Sequence, residues 1–281
     1  MTLKGMNEFS VQNGEVTLQG YHKGEGEAIV FIHGFPDSAN VWRGQIDTFV
    51  KQGYHVITLD MRGYGRSSKP KEVDSYFVTN LASDVKAVLD YLHVKQAHIV
   101  GHDWGAGVAW TFSGIYPKVA LSLSVLSVGH PLSILTMPTI RQREMSWYFM
   151  FFQMPNAPEM FAADNWKLFQ EFTRHHPEWL HWKEAFKTPE DITYAMNWYR
   201  ATLSGKAAIT AETFGTIECP VLGIWSDQDH YLTEEQMQNS AYFVQKNTSF
   251  DYIRLNNATH WLQIDKPKEV NEAILSFIKM A

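Results

Sequence analysis

The hydrophobic residues of the first 130 positions follow two alternating patterns. Residues 29–32 are a short, uninterrupted apolar run, which is typical of a strand buried on both faces of a parallel sheet, and residues 56–59 are predicted as the next strand. Between such runs, apolar residues recur at helical spacing, most regularly over residues 81–92. Strands that alternate with helices predict an α/β fold with a mostly parallel central sheet and helices on both faces.

The same criteria locate the remaining core elements. The dipeptide Asn13-Gly14 lies between two apolar stretches, 9–11 and 16–18, and predicts a β-hairpin with a two-residue turn. Further strands are predicted at 98–100, 121–128, 221–225 and 250–253, and further helices at 41–51, through 108–112 and after Pro267.

Between residues 131 and 214 the pattern changes. This stretch is rich in Trp, Phe, Tyr and Met, its apolar positions recur at helical spacing, and no part of it resembles a strand. It predicts an α-helical cap inserted into the α/β core. We therefore expect a first core part at residues 1–130, a cap at 131–214 and a second core part at 215–281.

Composition narrows the class of protein further. Hydrophobic residues make up 45% of the 281 residues, which is enough for a buried core, and the formal net charge is −6 without any basic block. No uncharged run reaches the roughly 20 residues that span a bilayer, and residues 1–6 lack the apolar stretch of a secretory signal. Cys219 is the single cysteine, so no intrachain disulfide forms. We expect a cytoplasmic protein without nucleic-acid or membrane partners.

The motif with the clearest chemistry is Gly101-His102-Asp103-Trp104-Gly105, between a predicted strand and a predicted helix. It has the small-x-nucleophile-x-small form of a nucleophile elbow, with Asp in the place of the Ser that esterases carry. The glycines permit a sharp turn that lifts residue 103 into the open, and the start of the following helix favours an ionised carboxylate. The alternative, that Asp103 only caps the helix, is less compatible with the two flanking glycines.

This motif and its surroundings resemble the epoxide hydrolase and haloalkane dehalogenase branch of the α/β-hydrolase fold, over nearly the whole chain. The resemblance implies that Asp103 attacks a substrate carbon and forms an alkyl ester, which water then hydrolyses. It implies neither a cofactor nor a metal. It also makes His33-Gly34-Phe35-Pro36 the oxyanion loop, with the backbone N–H groups of Phe35 and Trp104 as the oxyanion donors.

The order of catalytic residues in this fold, nucleophile then acid then histidine, locates the other two members of the triad. His260, expected in a loop between the last strand and the C-terminal helix, is the predicted base. The spacing in the family makes Asp229 the acid that holds it, with Asp227 as the competitor. Some dehalogenases carry this acid after an earlier strand, but residues 127–130 contain no carboxylate here.

The leaving group separates the two reactions of this branch. Opening an epoxide produces an alkoxide that needs a proton donor, and a tyrosine can supply the proton at neutral pH. The segments around Tyr148 and Tyr199 resemble the two cap segments in which epoxide hydrolases carry such tyrosines. We therefore predict an enzyme that converts a small apolar epoxide and water into a vicinal diol, and we leave a homo-oligomer open.

Two other functions stay as alternatives. A haloalkane dehalogenase would bind halide through the Trp104 indole, but Phe35 stands where many dehalogenases carry a second donor, Asn, so Trp147, Trp166 or Trp198 would have to replace it. A non-catalytic receptor on a hydrolase fold is disfavoured because every member of the catalytic set is present.

A group of three histidines, His175, His176 and His181, has no fourth ligand nearby in sequence. We interpret it as part of an exposed cap helix rather than as a metal site.

Overall fold

The computed structural model describes residues 3–137, 139–206 and 210–281. Residues 1 and 2, which belong to the segment predicted to lack a secretory signal, are outside this range. So are residues 138 and 207–209 of the predicted cap.

A single sheet organises the described part of the chain. Its spatial order is β1-β2-β4-β3-β5-β6-β7-β8. Pairs β1–β2 and β2–β4 are antiparallel, and every later pair is parallel. The mostly parallel sheet predicted from the sequence is therefore confirmed. The strands are β1 (Asn7–Asn13), β2 (Val16–Lys23), β3 (Ala28–Ile32), β4 (His55–Asp60), β5 (Ala97–His102), β6 (Ala120–Leu126), β7 (Val221–Gln228) and β8 (Phe250–Thr259).

The helices of the described residues fall into three consecutive groups along the chain. The first comprises α1 (Arg43–Lys51), α2 (Val78–Tyr91) and α3 (Trp104–Ile115). The second comprises α4 (Pro131–Thr136), α5 (Ile140–Met145), α6 (Tyr148–Phe151), α7 (Ala157–Phe172), α8 (Trp179–Ala185), α9 (Pro189–Leu203) and α10 (Ala211–Phe214). The third comprises α11 (Glu234–Gln238), α12 (Leu262–Asp265) and α13 (Pro267–Ile278).

Alternate residues of the central strands face two separate hydrophobic cores. Val30 of β3 packs in the core that contains α2 and α3, whereas Phe31 packs in the core that contains α1 and α13. Continuous apolar runs such as Ala28–Ile32 are needed because both faces of the strand are covered. Helices on both faces were predicted, and this prediction is confirmed.

The hairpin at the edge of the sheet differs from the prediction by one residue. Asn13 pairs with Val16, so the turn consists of Gly14 and Glu15 rather than Asn13 and Gly14. Gly14 has a φ of 60°, which a two-residue hairpin turn requires and glycine adopts without steric cost.

The elements between α4 and α10 are helical wherever the structure describes them, in agreement with the pattern of residues 131–214. Helix α9 begins with a capping box in which Thr188 and Asp191 bond each other's backbone N–H groups. Helix α7 is interrupted at Ala163–Trp166, where the backbone leaves the helical region. The exact boundary between core and cap stays a prediction.

The prediction of an exposed helix around the three cap histidines is wrong for His175 and His176, whereas His181 lies half-buried in helix α8. Residues 173–178 lie in turns between α7 and α8, and His176 is buried. Its Nε2 lies 3.1 Å from Oδ1 of Asp265 in α12, so this histidine connects the helical segment to the α/β core.

Within the residues that the structure describes, no helix combines the length and the apolar character needed to cross a membrane.

Candidate active site

Asp103 lies at a sharp turn between β5 and α3. Its φ of 53° and ψ of −125° belong to a region that non-glycine residues rarely adopt, at a cost of about 1–3 kcal/mol. A Cβ at Gly101 would collide with the carbonyl oxygen of Gly105, and a Cβ at Gly105 would collide with the carbonyl oxygen of Ile32. Both flanking glycines are thus required for the turn that presents the carboxylate at the carboxyl end of the sheet.

The carboxylate of Asp103 is oriented by two contacts. Oδ1 accepts a 2.7 Å hydrogen bond from the backbone N–H of Phe35, and Oδ2 lies 3.3 Å from Nε2 of His260. Asp103 is 8% exposed, so it faces an internal cavity and not the open surface that the sequence predicts. Its side chain makes no capping hydrogen bond to α3, which leaves the capping alternative without support.

The ionisation of Asp103 results from opposing effects. Burial raises the pKa of this carboxyl. His260 and, more weakly, His102 and the backbone N–H of Trp104 lower it by a larger amount, so the net pKa lies below the ordinary value. An ionised carboxylate at neutral pH is the form that can act as a nucleophile.

The loop after β3 places the backbone N–H of Phe35 against Asp103. A Cβ at Gly34 would collide with Oδ1 of Asp103, so only glycine permits this close approach. Burial lowers the pKa of His33, which keeps it neutral. Its Nε2 accepts a 3.0 Å hydrogen bond from the N–H of Met61, so Nδ1 carries the proton and donates to the carbonyl of Gly34 at 3.0 Å. This neutral imidazole holds the loop in place.

His260 follows β8 directly and lies between two carboxylates. Nδ1 is 2.8 Å from Oδ2 of Asp229, and Nε2 faces Asp103. Burial disfavours the imidazolium, but the charges of Asp229 and Asp103 outweigh it and raise the pKa of His260 to about 10. The carbonyl of His260 accepts hydrogen bonds from Nε2 of His102 at 2.9 Å and from Oγ of Ser127 at 2.8 Å.

The structure separates the two candidate acids. Oδ1 of Asp229 accepts from the backbone N–H groups of Tyr231 and Leu232, at 2.8 and 3.0 Å, which orients Oδ2 toward His260. Asp227 instead accepts from the N–H of Asn257 at 2.8 Å. Strands β7 and β8 extend beyond the predicted ends, and Asp227 belongs to this extension and not to the site.

Tyr148 and Tyr199, from α6 and α9, line the same cavities as Asp103. Both side chains are buried, and their ring centroids lie 5.8 Å apart at nearly perpendicular planes. Burial and, second, the charge of Asp103 raise the pKa of each phenol well above its usual value. Both phenols therefore keep their protons at neutral pH and can donate them only to a strong base.

Two spaces adjoin the carboxylate. A cavity of about 270 Å³ extends from Asp103, Tyr148 and Tyr199 between the core and the helical segment. A much smaller chamber of about 10 Å³ lies on the side of His260. The lining of the larger cavity is mainly apolar and includes Phe77, Val78, Trp104, Val128, Ile134, Leu135, Phe149, Phe214 and Leu232.

The tryptophans proposed as a second halide donor do not present a free N–H to Asp103. The indole of Trp198 donates to the carbonyl of Arg62 at 3.1 Å. Trp147 is half exposed, and neither it nor Trp166 lines the two spaces beside the carboxylate. Phe35 contributes a ring to the site, 5.8 Å from the ring of Tyr199.

Sequence reasoning missed several residues that support these groups. His102 and Ser127 fix the backbone of His260. Asp265 accepts from the N–H and Oγ1 of Thr259 at 2.7 and 2.6 Å, just before His260. Of these residues only His102 could have been found from the sequence, because it lies inside the elbow motif. Ser127 and Asp265 belong to no motif that points to the site.

Comparison with known proteins agrees with this architecture. Residues 27–267 match the family described as alpha/beta hydrolase fold. The chain belongs to the α/β-hydrolase fold family. It is 30% identical to the AB hydrolase superfamily protein YfhM of Bacillus subtilis, with 91% of each chain covered.

Within this family the chain is similar to epoxide hydrolases, as the sequence predicts. It is 31% identical to epoxide hydrolase 4 of Homo sapiens, over 89% of this chain and 72% of the human protein. Its structure is similar to that of epoxide hydrolase A from Mycobacterium thermoresistibile, with a TM-score of 0.81, 28% identity and 98% of each chain covered. The predicted recognition and fold class are confirmed.

Proposed function

We propose that this protein hydrolyses epoxides to vicinal diols through a covalent alkyl ester on Asp103. One observation carries the proposal. An ionised carboxylate, held by a backbone N–H group on one oxygen and facing His260 with the other, shares a cavity with two buried, protonated phenols.

In the first step, Oδ2 of Asp103 attacks a ring carbon of the epoxide, because Oδ1 is held by the N–H of Phe35. The carbon–oxygen bond of the ring breaks and its electron pair goes to the epoxide oxygen. Tyr148 or Tyr199 gives this oxygen a proton, and the His260 imidazolium in the same chamber restores the tyrosine. The products are an ester, a hydroxyl group and a neutral imidazole.

In the second step, neutral His260 takes a proton from water, and the hydroxide adds to Cγ of Asp103. The negative charge develops on Oδ1, where the N–H groups of Phe35 and Trp104 stabilise it. Collapse of the intermediate breaks the bond between Cγ and Oδ2. The departing diol oxygen takes the remaining proton of the added water, which restores the carboxylate and the imidazolium.

The mainly apolar lining of the larger cavity supports an epoxide with an apolar substituent as the substrate. The proposed chemistry needs only the epoxide and water. It is therefore compatible with a cytoplasmic protein that has no nucleic-acid or membrane partners. Haloalkane dehalogenation is less well supported, because the Trp198 indole N–H is already bonded and Phe35 offers no side-chain donor.

The decisive experiment compares variants in one assay with styrene oxide and 1-bromobutane, scoring diol against bromide. We expect diol from the wild-type protein and no turnover from Asp103→Ala. Intact-mass measurement of His260→Gln after exposure to styrene oxide should show the mass of the protein plus one substrate. Bromide release without diol, or an unmodified His260→Gln protein that still binds substrate, would contradict the proposal.

A further inference from the structure

A polar cleft of about 480 Å³ lies on the outer side of His260, away from the apolar cavity. Residues 173–177, which follow α7, form one wall of the cleft. Residues 259–261, together with Asp265 and Lys266, form another. Arg174, His175, His230 and Asn257 line it with exposed side chains. The cleft therefore differs from the apolar cavity in polarity.

Only a thin wall separates the cleft from the small chamber beside Asp103. Tyr231, His260 and Trp261 line both spaces. The hydroxyl of Tyr231 closes this wall by donating to the carbonyl of Phe172, a residue that also lines the chamber. One hydrogen bond between a tyrosine after β7 and the last residue of α7 thus lies between the small chamber and the solvent-facing cleft.

The covalent intermediate of the proposed function needs water while the apolar cavity is occupied. The substituent attached to Asp103 fills the space between Trp104, Phe149 and Tyr199, and this mainly apolar lining offers few hydrogen bonds to water. The chamber at His260 has a volume of about 10 Å³, close to the smallest space that accommodates one water molecule. Its lining includes Asp103, Tyr148, Tyr199 and His260, which supply polar partners.

We infer that the water that hydrolyses the ester enters through the polar cleft, past the Tyr231–Phe172 hydrogen bond, while the epoxide enters through the apolar cavity. This inference rests on the proposed two-step function. It assigns the two halves of the reaction to two different openings, one for the organic substrate and one for water.

Thiol labelling can block the cleft without altering the catalytic residues. Cys219, the single cysteine, is buried, so an introduced surface cysteine is the preferred site of a maleimide. The test variant is His175→Cys, labelled with fluorescein maleimide inside the cleft. The matched control is Tyr242→Cys with the same label, since Tyr242 is 75% exposed and lines none of the three spaces. Each unlabelled variant controls for effects of the substitution itself.

We expect the label at position 175 to lower kcat for styrene oxide about tenfold or more, and the ester to accumulate in the intact-mass spectrum. The single-turnover rate of ester formation should change less than about twofold, because the substrate uses the other opening. The label at position 242 should change neither rate. Equal turnover of labelled and unlabelled His175→Cys, or slower ester formation, would overturn the inference. Absence of an ester in His260→Gln would instead overturn the proposed function.

Discussion

At the scale of single residues, the proposed mechanism requires the charge state of His260 to change during the reaction. In the free protein Asp229 and Asp103 flank the imidazole and raise its pKa to about 10, against the effect of burial. Esterification makes Asp103 neutral and removes the charge 3.3 Å from Nε2. The pKa of His260 then falls, so the imidazole becomes a base when the ester needs one.

This argument predicts the pH dependence of the second step. A histidine acts as a base only when it is neutral, so ester hydrolysis should accelerate as pH rises through the pKa of His260 in the ester. That midpoint should lie below the value of about 10 expected for the free protein. The pH dependence of ester decay in single-turnover experiments gives the pKa of His260 in the ester. NMR titration of the His260 ring gives its pKa in the free protein. Equal midpoints would show that Asp103 has no influence on His260.

The two neighbouring aspartates provide a matched test of the acid. Asp229→Asn should slow ester hydrolysis by about 10²–10⁴-fold, because the imidazolium and its tautomer lose their partner. Asp227→Asn should have little effect, since Asp227 bonds the backbone of Asn257 and not the imidazole. Single-turnover rates of both variants decide the assignment, and a larger loss in Asp227→Asn would reverse it.

The phenols should act on the first step only. Tyr148→Phe and Tyr199→Phe should each slow ester formation, and the double variant should lose about 10²–10⁴-fold, because no acid remains for the alkoxide. Tyr194→Phe is the control, since Tyr194 lies on α9 as Tyr199 does but donates to Glu190 at the surface. Stopped-flow measurement of tryptophan fluorescence during ester formation provides the rates. An unimpaired double variant would remove the tyrosines from the mechanism.

At the scale of elements, the sequence predicts the motifs but not the contacts between distant segments. The elbow was predictable because Gly101 and Gly105 are required locally by the turn itself. The extension of β7 and β8 was not predictable, because it depends on the pairing of Gln228 with Thr259, two residues that are distant in sequence. For the same reason the burial of His176 against Asp265 was missed.

Helix α12 holds the base in position from outside the site. Asp265→Ala removes the acceptor of the Thr259 N–H and hydroxyl, beside His260. We expect a loss of about 1–3 kcal/mol in unfolding free energy, because these donors lose their partner.

The same substitution should slow ester hydrolysis about tenfold and leave the rate of ester formation nearly unchanged. Urea denaturation and single-turnover rates measure the two effects. Glu269→Ala, at an exposed position of α13, is the control. Equal slowing of both steps would indicate a purely structural role.

At the scale of the whole molecule, the proposed catalytic groups come from both the α/β core and the helical segment. The sheet and its loops contribute Asp103, Asp229 and His260, whereas the helical segment contributes Tyr148 and Tyr199. The apolar cavity beside Asp103 lies between the core and the helical segment, so its shape depends on how the helices pack on the sheet. The alternation of strands and helices predicts the sheet, but residues 131–214 contain too many aromatic residues for a helical pattern to specify which side chains line a cavity.

The lining of that cavity predicts which epoxides react. Among its described residues, the only ionised side chain is Asp103. A carboxylate on the substrate would lose its hydration without finding a cation, and it would also be repelled by the nucleophile. We expect kcat/KM for 4-carboxystyrene oxide to be about 10²–10³-fold below that for styrene oxide, which corresponds to about 3–4 kcal/mol. The carboxylate also adds bulk, so 4-nitrostyrene oxide, whose neutral nitro group has nearly the same shape as a carboxylate, is the steric control and should react far faster than the carboxylate. Initial-rate measurements of diol formation from the three substrates, at neutral pH, make the comparison. Equal values would mean that the substituent stays in solvent and that the apolar cavity does not receive the substrate.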